Sequence, residues 1–471
     1  MSSLLSAGID VGTSTTQVVF SRLQLRDRAA RFTAPDIQIT AAEVTYRGEV
    51  HETPLLNGAQ IDAQALRLLV EGEFRLAGVP PGDTDTGAVI ITGESARKEN
   101  AAAVLEQLSS LAGDFVVATA GPDLESRIAG QGSGAQEESR RRRCRVCNLD
   151  IGGGTTNIAV FDQGTLAGVG CYDIGGRLLR FTSDGVLTYI SASAAQIAQT
   201  NGLRFQVNEK PASHHLRQLA QAMASILEQA VRGQAGPLAR TAGSSPLNLD
   251  KPVDAICFSG GVADCIYSAA YGPFEFGDFG VMLGEAVRGS ALFSQTVIMP
   301  KETIRATVIG AGSYTTTLSG STIRYTDEAL FPIKNLPIFA LSARQQEACF
   351  AGIPCDMAQQ LRWFMRQADI TQAAIAFDGK PSPGWRELKR LAQTLADAFH
   401  EATCPGTPVI LLSKCDMGKA LGQAIVPFAR GRPVIALDGI AAGEHQYIDI
   451  GRPVMGGYAV PVVIKTLVLG G

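Results

Sequence analysis

The 471-residue chain, with 51 glycines and a net charge of -4, exceeds what one hydrophobic core usually serves, so roughly two to four domains are expected. Its 45% apolar and 18% charged residues exclude a largely disordered chain, and the slight acidity leaves no basic stripe for nucleic acid. No apolar run reaches a membrane span and no positively charged leader opens the chain, so the nine cysteines are expected as reduced thiols in a cytoplasmic protein.

Ala7 to Val11, Gln17 to Leu23 and Ile37 to Tyr46 alternate apolar and polar residues between turns, which predicts a β-meander. Helical spacing follows over Ala59 to Leu76, then a buried strand over Ala88 to Thr92 and a helix over Glu99 to Leu111. Residues 130–143 lack apolar periodicity and predict an exposed linker at a domain boundary. The meander then begins again with Val146 to Ile151, Asn157 to Asp162 and Thr165 to Tyr172. Helices are expected over Ala192 to Thr200 and His214 to Arg232, a loop over Gly233 to Pro252 and a strand over Ala255 to Phe258. From about Phe331 short strands alternate with helices, which predicts a C-terminal α/β domain with a parallel sheet.

Sliding the chain by 140 residues lays Asp10-Val11-Gly12-Thr13-Ser14-Thr15-Thr16-Gln17 over Asp150-Ile151-Gly152-Gly153-Gly154-Thr155-Thr156-Asn157 without a gap. This is an internal duplication that supplies one small-residue loop from each domain. Each loop joins two strands, so backbone N–H groups of Gly12, Gly152, Gly153 and Gly154 can form an anion nest, with hydroxyls from Thr13, Ser14, Thr15, Thr155 and Thr156 as added donors. An aspartate ahead of a phosphate loop is a liability unless a cation lies between. Mg²⁺, which binds through one or two carboxylates and substrate phosphates, would make Asp10 and Asp150 assets. No Walker loop occurs, and neither loop opens a helix as a dinucleotide fingerprint does.

A third element, Ile256 to Ala263, ends a strand in Ser259-Gly260-Gly261, where a flat base or ribose could pack on backbone. In that position it resembles the adenosine motif of the actin, sugar-kinase and seventy-kilodalton heat-shock ATPase superfamily. Tyr172 to Leu179, with Gly175 and Gly176, and Val308 to Tyr314, with Gly310 and Gly312, are similar to its two hinge segments. The resemblance implies an actin-like, ribonuclease H-like α/β core with an ATP cleft between two related domains. Expected units are 1–139, 140–325 and a partner-binding 326–471.

The whole chain further resembles the family of ethanolamine ammonia-lyase-reactivating factors, on Val89 to Asn100, Phe276 to Gly284 and Gly451 to Gly457. That resemblance implies use of ATP and Mg²⁺ to release damaged cobalamin from the lyase, so that intact adenosylcobalamin replaces it. It also implies a cytoplasmic place, associated with the ethanolamine-utilization bacterial microcompartment, no nucleic-acid or membrane partner, and an open question of homo-oligomerisation. Asp150 is the first choice to orient the attacking water, with Asp10 beside it and Glu94 and Asp173 as alternatives. Asn157 stands where the heat-shock relatives carry a second carboxylate. A small-molecule kinase and an actin-like scaffold are the rival readings on the same fold.

Other features read as bland. Arg97 and Lys98 are expected at an exposed helix start, ahead of the alternative that one of them reaches a γ-phosphate, and Arg140 to Arg143 are expected as a solvated run. Cys144 and Cys147 lack the second pair that a zinc site needs, and His214-His215 open a helix. Asp416 to Gly422 is expected as a βα turn.

Overall fold

The computed structural model describes residues 3–12, 15–27, 37–56, 60–80, 82–92, 100–109, 116–119, 121–314, 317–319, 322–353, 355–444 and 446–466. Thr13, Ser14, Glu94, Arg97 and Lys98 lie outside them.

The duplication in the sequence is a duplication of topology. In the first lobe Ser3–Val11, Thr15–Asp27 and Ile37–Arg47 form an antiparallel meander, because the loops between them are too short for a crossover. Thr86–Ile91 joins the other side of the first strand in parallel, and Val116–Thr119 lies beyond it. The second lobe repeats this with the meander Arg145–Ile151, Thr156–Asp162 and Thr165–Tyr172, then Ala255–Ser259 and Thr296–Val297 in parallel. Counted in chain order, the five main strands of each sheet run 3-2-1-4-5. This twofold ribonuclease H-like order is the actin-like core that the sequence led us to expect.

Residues 130–143 depart from expectation. They form the end of one helix, Pro122–Gly132, and the whole of another, Ala135–Arg142, rather than a linker. Periodicity missed the first because its contact face is built of glycine. A Cβ on Gly132 would lie 1.8 Å from the carbonyl oxygen of Ala306, and one on Gly310 2.1 Å from that of Ile128. Pro122–Gly132 and Ala306–Tyr314 therefore cross backbone to backbone. Each glycine costs about 1 kcal/mol of helix propensity relative to alanine, which the close crossing offsets. The helices also reach into opposite lobes: Gly130 abuts Phe161 and Ala159 of the second sheet, while Ser6 Oγ of the first donates to Gly312 O at 2.5 Å.

A third sheet runs in parallel through Ile333–Ala340, Ala374–Phe377, Val409–Ser413 and Val434–Leu437, with Gln446–Ile450 and Pro461–Thr466 antiparallel on its other side. Its side chains alternate between two cores, Ile375 and Phe377 under the helices and Ala374 and Ala376 on the opposite face. Thr317–Leu318 and Arg324–Tyr325 also pair into this sheet, so it takes in residues ahead of 326. Asp416 stands between Val409–Ser413 and the helix Gly418–Ile425, a βα turn as expected.

Candidate active site

The two loops face one cleft of about 370 Å³ between the lobes. Both close by the same bond: Gly12 N donates to Thr15 O at 2.8 Å, and Gly152 N to Thr155 O at 2.9 Å. Behind the second loop, Gly176 N donates to Gly152 O at 2.9 Å and Arg177 N to Gly153 O at 2.7 Å. In a planar trans peptide the C=O and N–H point in opposite directions. With those carbonyls drawn back, the N–H groups of Gly153 and Gly154 turn toward the cleft, which makes an anion nest. Gly175 and Gly176, expected at a hinge, pack directly against this loop. A Cβ on Gly175 would meet Gly153 O at 2.5 Å, so glycine is what lets this segment brace the loop. Gly310 and Gly312, also expected at a hinge, lie on the helix that crosses Pro122–Gly132 backbone to backbone.

The two aspartates stand at the ends of equivalent strands and both line the cleft. Asp150 Oδ1 accepts from Ser259 Oγ at 2.6 Å and its Oδ2 from Thr307 Oγ1 at 3.3 Å, while Asp10 Oδ1 accepts from Thr92 Oγ1 at 3.1 Å. Burial pushes Asp10 up to about 7, against the Thr92 hydrogen bond and with a further push from the Asp150 charge. Burial also raises Asp150 to about 6, opposed by Ser259 and Thr307. Two desolvated carboxylates, one of them raised further by the charge of the other, suit a hydrated divalent cation, whose charge would relieve both. Among the described residues no group of three or more His, Cys, Asp or Glu is placed to hold a metal, Cys144 and Cys147 included. Two carboxylates on the cleft wall are a donor set that fits Mg²⁺ completed by water and phosphate.

The chain matches the family described as "Ethanolamine utilisation protein EutA" over residues 2–470. It belongs to that family. It is 37% identical over 472 residues to the ethanolamine ammonia-lyase reactivase EutA of Salmonella typhimurium, covering 98% of each chain. The protein of the same name from Escherichia coli is 36% identical over 475 residues, again covering 98% of each chain. Among solved structures, the chain is similar to an Aquifex aeolicus PPX-GPPA enzyme (TM-score 0.40, 14% identity, 66% of this chain and 99% of that one). It is also similar to the ethanolamine utilization protein EutJ of Carboxydothermus hydrogenoformans (TM-score 0.32, 15% identity, 66% and 89%).

In this EutA-family chain the glycines expected beside an adenosine, Gly260 and Gly261, sit where the second lobe meets the cleft. Gly260 has φ +84°, and a Cβ on it would lie 2.4 Å from Ile151 O, whereas one on Gly261 would meet nothing within 4 Å. Gly261 thus offers bare backbone to the cleft. Ser259, expected beside the adenosine, is fully buried and holds Asp150 instead. Thr156 likewise turns away, its Oγ1 donating to Ile174 O at 2.7 Å, while Thr15 and Thr155 line the cleft. Asp173 lies off the cleft wall formed by the described residues, its Oδ1 accepting from Thr241 Oγ1 at 2.7 Å.

Several cleft residues escaped the sequence reading. Glu125 reaches the cleft from Pro122–Gly132 and accepts from Asn157 Nδ2 at 2.8 Å. Tyr271 and Phe276 form a tilted pair with ring centroids 5.1 Å apart, and Phe276 is 51% exposed although large and apolar. Their loop is tied down by Gly272 N donating to Glu275 and by the Arg177–Asp278 ion pair at 3.3 Å. These residues share no spacing with the loops. The one available signal was Asn157, which stands where the heat-shock relatives carry a carboxylate and here holds Glu125 from another element. Among the described residues no helix is long and apolar enough to cross a membrane.

Proposed function

We propose that this chain is an ATP-hydrolysing reactivase for ethanolamine ammonia-lyase. The observation that carries the reading is the pair of equivalent loops, each with its aspartate, turned toward one cleft in a chain that matches reactivases over its full length. The nest of Gly153 and Gly154 N–H groups would grip the phosphates from the second lobe, and Thr15 from the first, with Gly12 closing its loop. Gly261 and the Tyr271–Phe276 pair would take the base and ribose, giving the exposed Phe276 ring an apolar partner.

Asp10 and Asp150 would hold Mg²⁺ through water, and the cation would neutralise charge developing on the transferred phosphoryl group. Glu125 is the residue we assign to orient the attacking water. It is a carboxylate on the cleft wall, fixed by Asn157 and independent of the pair that faces the cation. Asp150, the choice from sequence, keeps the metal-facing role, since Ser259 and Thr307 already engage both of its oxygens.

Closure of the two lobes on ATP and reopening after hydrolysis would pivot at the glycine crossing of Pro122–Gly132 and Ala306–Tyr314. If the lyase prefers one of the two states, turnover exchanges its contacts and releases damaged cobalamin. The third sheet, with its own two cores, is the part left for partner binding. Phosphate release from ATP, measured with no added metabolite, separates this reading from a kinase. Steady turnover is expected, and turnover that appears only with a small-molecule acceptor would overturn it.

A further inference from the structure

Gln17 stands opposite Asp10 across the first hairpin, and Asn157 opposite Asp150 across the second. Opposite residues of an antiparallel pair share one face of the sheet, so each amide points to the same side as its aspartate. Both line the cleft, yet both are buried, with 4% and 2% of their surface exposed. Each spends its NH₂ group on the helix crossing. Gln17 Nε2 donates to Ile304 O at 3.2 Å, just ahead of Ala306–Tyr314. Asn157 Nδ2 donates to Glu125, and its Oδ1 accepts from Ser126 Oγ at 3.3 Å, both on Pro122–Gly132.

The two amides thus occupy one position in the duplication and make related links, Asn157 to one crossing helix and Gln17 to the turn that leads into the other. Gln17 adds a second observation. Its Oε1 is buried with no hydrogen-bond partner among the described residues. A buried acceptor left empty costs about 1–3 kcal/mol, so this oxygen is set to take a donor from a filled cleft. A planar amide with one end on a helix and the other toward the ligand is a short rigid connector.

We propose that Gln17 and Asn157 are paired positioning residues that carry the state of the nucleotide from the two loops to the two crossing helices. The proposal rests on the reading that the cleft takes ATP with Mg²⁺. It assigns each helix its own reporter, Gln17 for Ala306–Tyr314 and Asn157 for Pro122–Gly132. Thr307 Oγ1, on Asp150 Oδ2, gives the first of these helices a link to the second lobe as well.

The test is backbone hydrogen exchange of the full chain with and without Mg²⁺ and a non-hydrolysable ATP analogue. In the wild type both loops and both helices should exchange more slowly when the analogue is bound. Gln17→Met should remove the analogue-dependent slowing from residues 306–314 and leave it at 122–132, and Asn157→Asp should do the reverse. Gln17→Glu and Asn157→Ser serve if either first variant fails to fold. Loop protection with both helices responding as in the wild type would overturn the proposal alone. So would faster helix exchange that is equal with and without the analogue, the mark of a merely structural role. Loops that gain no protection in the wild type would overturn the ATP reading and this proposal with it.

Discussion

The two loops share a fold and a closing hydrogen bond but not their surroundings. The second is braced from behind by Gly176 and Arg177, and its Asp150 receives two hydroxyl donors. The first is steadied by Thr53 Oγ1 on Gly12 O at 2.8 Å, and its Asp10 receives Thr92. Their ionisation follows, with Asp150 raised to about 6 and Asp10 to about 7. Duplication thus gave two copies of the same hairpin, and we propose that the second, braced from behind, is the anchor and the first the responsive partner.

The largest effect should come from removing the anchor. Asp150→Ala is expected to lower ATP turnover on the order of 10³-fold, the scale of a preorganised charge in a catalytic site, in a protein that remains folded. Asp10→Ala should cost less, and equal losses in a side-by-side turnover assay would erase the distinction between the loops. Glu125→Gln should follow with about a 10²-fold loss in kcat and a nearly unchanged affinity for ATP. A rise in KM instead would move Glu125 from water orientation to binding.

Smaller effects sharpen the contrast. Ser259→Ala, which removes a donor from Asp150, should weaken Mg²⁺ binding about tenfold in a titration with the ATP analogue, and Thr92→Val should weaken it less. The sign of the pH effect follows from competition: a cation must displace protons from carboxylates whose pKa is raised. Mg²⁺ affinity should therefore climb as pH rises through 6 and then 7, with Asp10 the last to ionise. In the Asp10→Ala variant the upper part of that rise should vanish. At the crossing, Gly310→Ala should destabilise the fold by about 1–3 kcal/mol, read as a lowered melting temperature, because a Cβ there would meet the Ile128 carbonyl.

Much of this was legible before the fold. The constant offset between Asp10 and Asp150 predicted two equivalent hairpins, and strong periodicity placed helices such as Ala192–Thr200 at their observed ends. The helix Pro122–Gly132 was not legible, since glycine contributes nothing to an apolar stripe and its packing partner lies far along the chain. Thr156 was read as a phosphate donor and Ser259 as part of the adenosine strand end, but which way a hydroxyl turns depends on neighbours such as Ile174 and Asp150. Glu125 was missed for the same reason: it reaches the cleft through a tertiary crossing rather than through a motif.

The central claim is that the duplicated loops bind and hydrolyse ATP to reactivate a cobalamin enzyme. Its most direct measurement mixes the full chain with cobalamin-inactivated ethanolamine ammonia-lyase, ATP, Mg²⁺ and fresh adenosylcobalamin, beside the Asp150→Ala variant. The account predicts recovered lyase activity with the wild type and none with the variant. Equal recovery by both, or none from a wild type that turns over ATP, would contradict it.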